Sequence, residues 1–388
     1  MNEQLNLFNT EEEFNFEEMK QKLIDNLDML KEMTVQEQTL YKKWQEMNKG
    51  GKMSKIKKKL LSYQKNLWKP TDIYNVEQTI QEIEDLEPYV EIATQGKGVT
   101  EWVNYRKLIH TMEWVANPGR NMKFWVRDRK TQKVLGLICL GSDVTSIKVR
   151  DAYIGWDKTN KFDQHKLNNT AIATTICSTQ PGGYNMLMGK LVAALTTCKT
   201  IRDAWEEKYG DKLIAVGTTS LYGINSMYNG MPHFKTMGET TGQVRLKPDD
   251  KVYLPWNTWL KKNYPEEHHK AINATGPKQN ILNKVFKHCG IKASTYDHGF
   301  KRGVYLAMMY DNGNEFLRGE VEESNLKMKQ KFIDDVEYTC RWWKPKAIRR
   351  YKNLTTQQRI KKEQLFYWDV IDMSWQSTKE NYIGEVGR

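Results

Sequence analysis

Apolar side chains return every three or four positions near the start of the chain, at Met19, Leu23, Leu27, Leu30 and Met33, which predicts an amphipathic helix. The same period recurs over residues 72–87, with Val76, Ile80, Ile83 and Leu86 on one face and Pro88 closing the run. Residues 102–114 form a third helical stretch. The period then shortens. Apolar runs at 122–126 and 134–140 flank the polar segment 128–132, the signature of a hairpin. A short strand is expected before Gly155-Trp156-Asp157, and another strand at 172–177. That strand passes through Pro181, Gly182 and Gly183 into an apolar helix at 186–200, and a strand at 213–217 leads to a small-residue helix around 225–230. Beyond Gly242 the chain turns polar, with an extended piece at 252–256, a helix at 258–264, a strand at 302–310 and mostly helix over 323–362. Mixed strands and helices in this order predict an α/β (α+β) core, a mixed central sheet flanked by helices. The expected divisions are a helical region 1–98, the core 99–250, and a mainly helical basic region 251–388.

A strand that hands its chain to a helix through paired glycines aims free backbone N–H groups at one spot. At the positive end of a helix dipole, that spot suits a phosphate or another anion. The loop here is Gln180-Pro-Gly-Gly183-Tyr184-Asn185. It resembles the pyrophosphate loop of GNAT acetyltransferases, Gln/Arg-x-x-Gly-x-Gly/Ala, with Asn185 standing where that family has a small residue. The later Asn225-Ser-Met-Tyr228 … Phe234 … Gly238-Glu239 is similar to the family's Asn…Tyr…Gly-Phe segment. The resemblance implies a GNAT-like sheet and an acyl-CoA donor, acetyl-CoA or a relative, held by Gln180, Gly182, Gly183, Tyr184 and Asn185. It also implies that Tyr228 acts as the general acid for the leaving thiolate.

A second resemblance covers residues 120–250. The stretches 150–157, 167–169, 203–210 and 228–242, with Arg150, Trp156, Asp157, Asn169, Trp205, Tyr228 and Gly242 among them, resemble the DruA family of the Druantia anti-phage system. They resemble more faintly the phage Mom proteins, which modify adenine in DNA. The resemblance implies a nucleic-acid setting in a phage, defence or mobile-element context. On the acceptor side, Asp157 is the acidic candidate for a base, or else a cap of a following helix. Trp156 is a candidate to stack a base taken out of the duplex, or a core side chain. Asn168 and Asn169 suit a base edge or a turn.

The chain of 388 residues carries 39% apolar residues, thirteen Trp and nineteen Tyr, enough for a sizeable core, so it is not a disordered protein. A formal charge of +12 favours an acidic polymer as partner, DNA before RNA and nucleic acid before membrane. The charge is clustered. Residues 1–50 hold eleven acids against six lysines, whereas 52–69 hold seven lysines, Lys57, Lys58 and Lys59 among them, and no acid. Residues 341–362 hold nine cations and no acid, interleaved with Trp342, Trp343 and Tyr351. Arg341, Lys346, Arg349 and Arg350 are the cations singled out there for nucleic acid, since aromatics among arginines suit unstacked bases. The alternative is a helix that packs its tryptophans inward and solvates its charges. Five scattered cysteines without a Cys-x-x-Cys predict reduced thiols in a cytoplasmic protein. The seven histidines lack ligand spacing, so no metal site is expected. No apolar run approaches the length of a membrane span, and the polar N-terminus does not resemble a signal peptide.

Two functions from different classes follow. The first is a GNAT-like transferase acting on nucleic acid, adding a small group to a DNA base as Mom does. The second is a non-catalytic DNA- or RNA-binding protein of an anti-phage or mobile-element module, favoured by Asn185 and by the altered spacing between Gly223 and Tyr228. No oligomeric state is implied.

Overall fold

The structure, a computed structural model, describes residues 14–48, 62–116, 119–221, 223, 226–240, 244–274, 276–298, 300–333, 335–363 and 373–385. The chain forms two compact units, one made of Met1–Gln38 and Gly242–Phe300, the other of Thr39–Thr241 and Lys301–Arg388. The divisions expected at 98 and 250 do not coincide with these units, because strands on either side of residues 99–250 complete the larger unit's sheet.

That sheet has seven strands: β1 (Pro88–Ile92), β2 (Asn121–Asp128), β3 (Val134–Ser142), β4 (Thr170–Ser178), β5 (Ala215–Ser220), β6 (Lys235–Glu239) and β9 (Gly303–Met308). Their order is β1-β2-β3-β4-β5-β9-β6. The β2–β3 hairpin forms as the periodicity predicts, in register from Asn121↔Gly141 to Arg127↔Val134. β4 and β5 are parallel and therefore need a crossover. It is built from α6 (Gly182–Met186), α7 (Met188–Ala194) and α8 (Lys199–Tyr209). β9 runs antiparallel to both of its neighbours.

Alternate residues of β2 and β3 serve opposite faces. Phe124, Val126, Ile138 and Leu140 join the main core with the crossover helices and α12 (Asp335–Thr356). Trp125, Leu137 and Cys139 pack with Trp102 and Tyr105 of α4 (Lys97–Ile109). Both faces of β3 are covered, which is why it reads as an unbroken apolar run. The remaining helices of this unit include α2 (Val35–Asn48), which begins before its boundary, α3 (Val76–Asp85) and α5 (Lys148–Ile154).

Four expectations are corrected. The strand expected before Gly155 is the helix α5, closed by Gly155 in the left-handed region at φ 79°. The helix expected over 186–200 is broken at Leu187, whose φ is 51°. The carbonyls of Met186 and Leu187 turn out of the helix there and accept from the Trp343 indole N–H at 3.1 and 3.0 Å. Residues 226–230 form turns, not a helix. The extended piece expected at 252–256 lies inside α9 (Asp250–Asn263), with Pro255 in the helix interior. There the burial of Trp256 and Leu260 overrides the local cost of proline.

The smaller unit contains α1 (Phe16–Glu32), α9, α10 (Pro265–Ile272), α11 (Pro277–His288) and a two-stranded ribbon, β7 (Val244–Arg245) with β8 (Asp297–His298). Leu23, Leu27 and Leu30, three of the periodic positions, are buried as the pattern predicts. Phe14 and Phe16 meet the Trp256 ring edge-on at 5.0 and 5.3 Å.

His233 of the larger unit is buried among Phe332, Tyr338 and Trp342, and its Nε2 lies 3.2 Å from the Thr339 hydroxyl. Burial, assisted by Lys331, lowers its pKa to about 4. A depressed histidine contributes stability that is complete above its ordinary range, near 6.5, and is lost as the pH falls towards the folded value. Between pH 7 and pH 5 the unit is expected to lose about 2 kcal/mol from this group. Urea titrations of the wild type and His233→Gln check it: the variant should lack that increment, and identical pH slopes would refute the assignment.

Candidate functional site

β4 and β5 pair only over Thr170–Ile172 and Ala215–Gly217. Beyond that point β4 stays bonded to β3 and β5 to β9, so the sheet opens into a wedge between two parallel strands. At the throat the Thr218 hydroxyl donates to the Ala173 carbonyl at 3.1 Å. The register of β3 on β4 skips Thr174, a bulge at the edge of the wedge. Bulges re-aim backbone groups beside sites.

Tyr228 closes the throat. Its hydroxyl lies beside Thr218, and its ring lies 5.0 Å from Tyr305 and 5.7 Å from Phe234. Burial pushes its pKa up to about 12, so the phenol stays protonated across the physiological range.

Cys177, on the wedge side of β4, is near enough to Tyr228 to add to that shift. Its thiol faces the Ile109 carbonyl at 3.8 Å, and burial raises it to about 12 against the pull of Arg106 and Lys43. Around it stands a polar cluster that the sequence reading passed over. The Lys43 ammonium donates to Glu46 at 2.7 Å and to the Lys107 carbonyl at 2.6 Å; its pKa is lowered, with burial the main cause. The Arg106 guanidinium holds the carbonyls of Met112 and Glu113, while its buried Nε has no hydrogen-bond partner. His110 Nδ1 accepts from the Met112 amide at 2.9 Å, which assigns the ring proton to Nε2. Burial, followed by Arg106 and Lys43, lowers its pKa well below the ordinary range. A detectable signal was present: Lys43 and Glu46 are three apart on α2, a spacing that shares a helix face, and His110 caps α4 four residues after Arg106.

The loop after β4 is bonded more tightly than its glycines suggest. The Gly183 amide donates to Thr179 at 2.8 Å, that of Tyr184 to the Gln180 side chain at 3.0 Å, and that of Asn185 to Pro181 at 3.1 Å. Three of the N–H groups expected to be free for an anion, those of Gly183, Tyr184 and Asn185, are thus engaged within the turn. A side chain at either glycine would oblige neighbouring side chains to shift. A Cβ at Gly182 would lie 2.7 Å from Met188, and one at Gly183 would lie 2.6 Å from the Ser178 hydroxyl. Asn185 is fully buried and clamps the later chain, donating to the Lys361 carbonyl at 2.6 Å and accepting from the Lys361 amide at 3.1 Å. Cations gather over this turn. Arg350 and Lys361 lie 5.3 and 4.9 Å from the Tyr184 ring. Lys190, bonded to the Asn229 carbonyl at 2.6 Å, has its pKa lowered by burial and then by Lys346. A lysine depressed by a second lysine marks an excess of positive charge.

The sequence model of the family Druantia protein DruA matches residues 36–319. The chain belongs to the DruA family. It is 26% identical over 254 residues to the Druantia protein DruA of Escherichia coli strain UMEA 4076-1, across 60% of this chain and 61% of that protein. The chain thus matches about three fifths of its relative's length. No solved structure matches it.

In this DruA-family chain the motif 150–157 builds an ion network around Arg150. Arg150, almost fully buried, binds Asp143 and Asp151, each at 2.6 Å, and Lys161 binds Asp151 at 2.5 Å. The Trp156 ring lies 5.2 Å from Arg150 and 5.3 Å from Lys161, and its indole N–H donates to the Leu317 carbonyl at 2.8 Å. Asp157 is exposed and caps the next turn, accepting from the Asn160 amide at 2.8 Å. Asn169 is buried and donates to the Lys212 carbonyl at 3.0 Å, a turn-shaping role. These residues are not gathered with Tyr228 by any of these bonds.

Lys57, Lys58 and Lys59 lie outside the described residues. On α12, Arg341, Lys346 and Arg349 are exposed and Arg350 is half-buried; Arg341 pairs with Glu337 at 2.7 Å. Trp343 and Tyr351 are fully buried, and the Tyr351 hydroxyl donates to the Ile73 carbonyl at 2.6 Å, so neither meets a base. Among the described residues no cluster of metal-ligating side chains occurs, the cysteines are unpaired, and no helix is long and apolar enough to cross a membrane.

Proposed function

We propose that the chain is a GNAT-like, acyl-CoA-dependent transferase that acts on nucleic acid in an anti-phage setting. The observation that carries this is the split parallel pair β4–β5 with the Tyr228 hydroxyl at its throat. Separated strands leave backbone donors and acceptors along both walls, which an extended, amide-containing ligand can satisfy. The bulge at Thr174 supports a backbone group aimed at a carbonyl in the wedge. Arg350, Lys361, Lys346 and Lys190 supply the charge for phosphates at the mouth, in place of the engaged loop amides. Bound acyl-CoA supplies an activated acyl thioester. Tyr228, held protonated, donates a hydrogen bond towards the sulfur and excludes water from the throat. A phenol with so high a pKa stabilises developing negative charge better than it surrenders its proton.

The defence setting rests on family membership and on the word Druantia in the relative's name. One observation favours a non-catalytic nucleic-acid binder instead: the Asn185–Lys361 clamp lies on the loop that would hold the cofactor.

Calorimetric titration with acetyl-CoA separates the two. Binding near one equivalent is expected, and Lys346→Ala with Arg350→Ala should weaken it about tenfold, roughly 1.4 kcal/mol. No heat from folded protein would discard the transferase. Unchanged affinity in the double variant would discard the phosphate assignment.

A further inference from the structure

In the smaller unit, α10 and α11 are joined by residues 273–276, of which Gly276 takes φ +76°. A left-handed residue directly before Pro277 turns the chain sharply and starts the second helix cleanly. Ile281, Leu282, Val285 and Phe286 of α11 are buried, as are Ala271 of α10 and Trp256 and Leu260 of α9. A short helix, a glycine-containing turn and a second helix, packed with a third, is the plan of a helix-turn-helix.

At helical spacing the face of α11 opposite its apolar side carries Asn280, Asn283 and Lys287, with Gln279 and Lys284 beside them. Asn283 and Lys287 are exposed, and α11 contains no acid. Carboxamides pair a donor with an acceptor as the major-groove edge of adenine requires, and lysine suits guanine acceptors or phosphate. Twelve residues give a helix about 18 Å long, and the groove that admits it is about 12 Å wide. Across 242–300, ten Lys and Arg stand against five Asp and Glu, whereas the acidic segment 1–38 of the same unit brings its total to thirteen against fifteen, so the positive charge is local to this stretch.

These side chains have local partners that a groove would have to displace: the Asn280 side chain donates to the Gly276 carbonyl at 3.2 Å, and that of Asn283 accepts from the Gln279 carboxamide at 3.3 Å. Lys278 pairs with Asp250 at 3.1 Å, and Glu267 lies 3.9 Å from Lys284 and 3.8 Å from Lys287. Such partly exposed pairs are weak in water and yield to the denser charge of a duplex. The acidic helix α1 packs on α9 through Phe16, and Lys287 remains 70% exposed.

We propose that α10 and α11 form a helix-turn-helix whose α11 enters the major groove of duplex DNA through Asn280, Asn283 and Lys287. This deepens the nucleic-acid part of the proposed function and is independent of its acyl-CoA part. The test is fluorescence anisotropy of the full chain with about three helical turns of labelled duplex at several salt concentrations. The wild type binds, with affinity falling steeply as salt rises. Asn283→Asp with Lys287→Glu weakens binding about tenfold or more and flattens the salt slope by about one. Acetyl-CoA calorimetry on the same variant is unchanged. A wild type that ignores duplex DNA, or a variant that binds like the wild type, overturns the proposal. Equal binding of single strands by both proteins overturns it too. Failure of the acyl-CoA site registers only in the calorimetry.

Discussion

Arg150→Ala is expected to cost the larger unit about 3–5 kcal/mol, because it strands buried carboxylates rather than merely deleting a contact. The guanidinium meets Asp143 at 2.6 Å, Asp151 at 2.6 and 2.9 Å, and the Val144 carbonyl at 2.8 Å. Asp143 is as buried as Arg150 and its Oδ2 has no hydrogen-bond partner, so without the arginine its charge is uncompensated. Asp151 keeps Lys161 and suffers less. Removing both members of the buried pair, with Asp143→Leu and Arg150→Met, should recover much of the loss. Denaturant midpoints at unchanged slope measure both. A single variant within about 0.5 kcal/mol of the wild type would show the network to be ornamental.

Trp343→Ala is expected to cost a similar amount, about 3–5 kcal/mol, through the cavity left by a fully buried indole. It also removes the indole donor shared by the Met186 and Leu187 carbonyls at the break between α6 and α7, of which Leu187 keeps the Lys190 amide at 2.9 Å. Trp343→Phe fills most of the space without restoring those bonds. It should retain a penalty of about 1–3 kcal/mol, and complete rescue would mean that the bonds contribute nothing.

The parts of the fold legible in the sequence are those specified locally. The hairpin β2–β3, the strands β4 and β5 and the first helix follow from apolar periods that their own burial requires. The tryptophans of α12 were legible in part, since Trp343, Ala347, Tyr351 and Leu354 trace one helical stripe and all are buried. Charge among aromatics suggested a nucleic-acid face there, but the stripe belongs to the core. Less legible were elements settled by distant partners. The short strand expected before Gly155 is instead a helix that presents Arg150 to Asp143. Pro255 argues locally against a helix that aromatic packing around Trp256 enforces. In the candidate site, Tyr228 and the loop came from motif order. The cluster of Lys43, Arg106, His110 and Cys177 draws on three elements far apart in sequence.

The placement of β9 between β5 and β6 has a consequence for synthesis on the ribosome. β5 is complete at Ser220, but its permanent neighbour ends at Met308. Translation of the intervening stretch takes roughly 4–18 s at ordinary elongation rates. Throughout that interval the growing chain carries an open strand edge, the form in which nascent proteins pair wrongly with one another. Residues 242–300 emerge within the same window. Expression at lower temperature or with added holdase is therefore expected to raise its soluble yield.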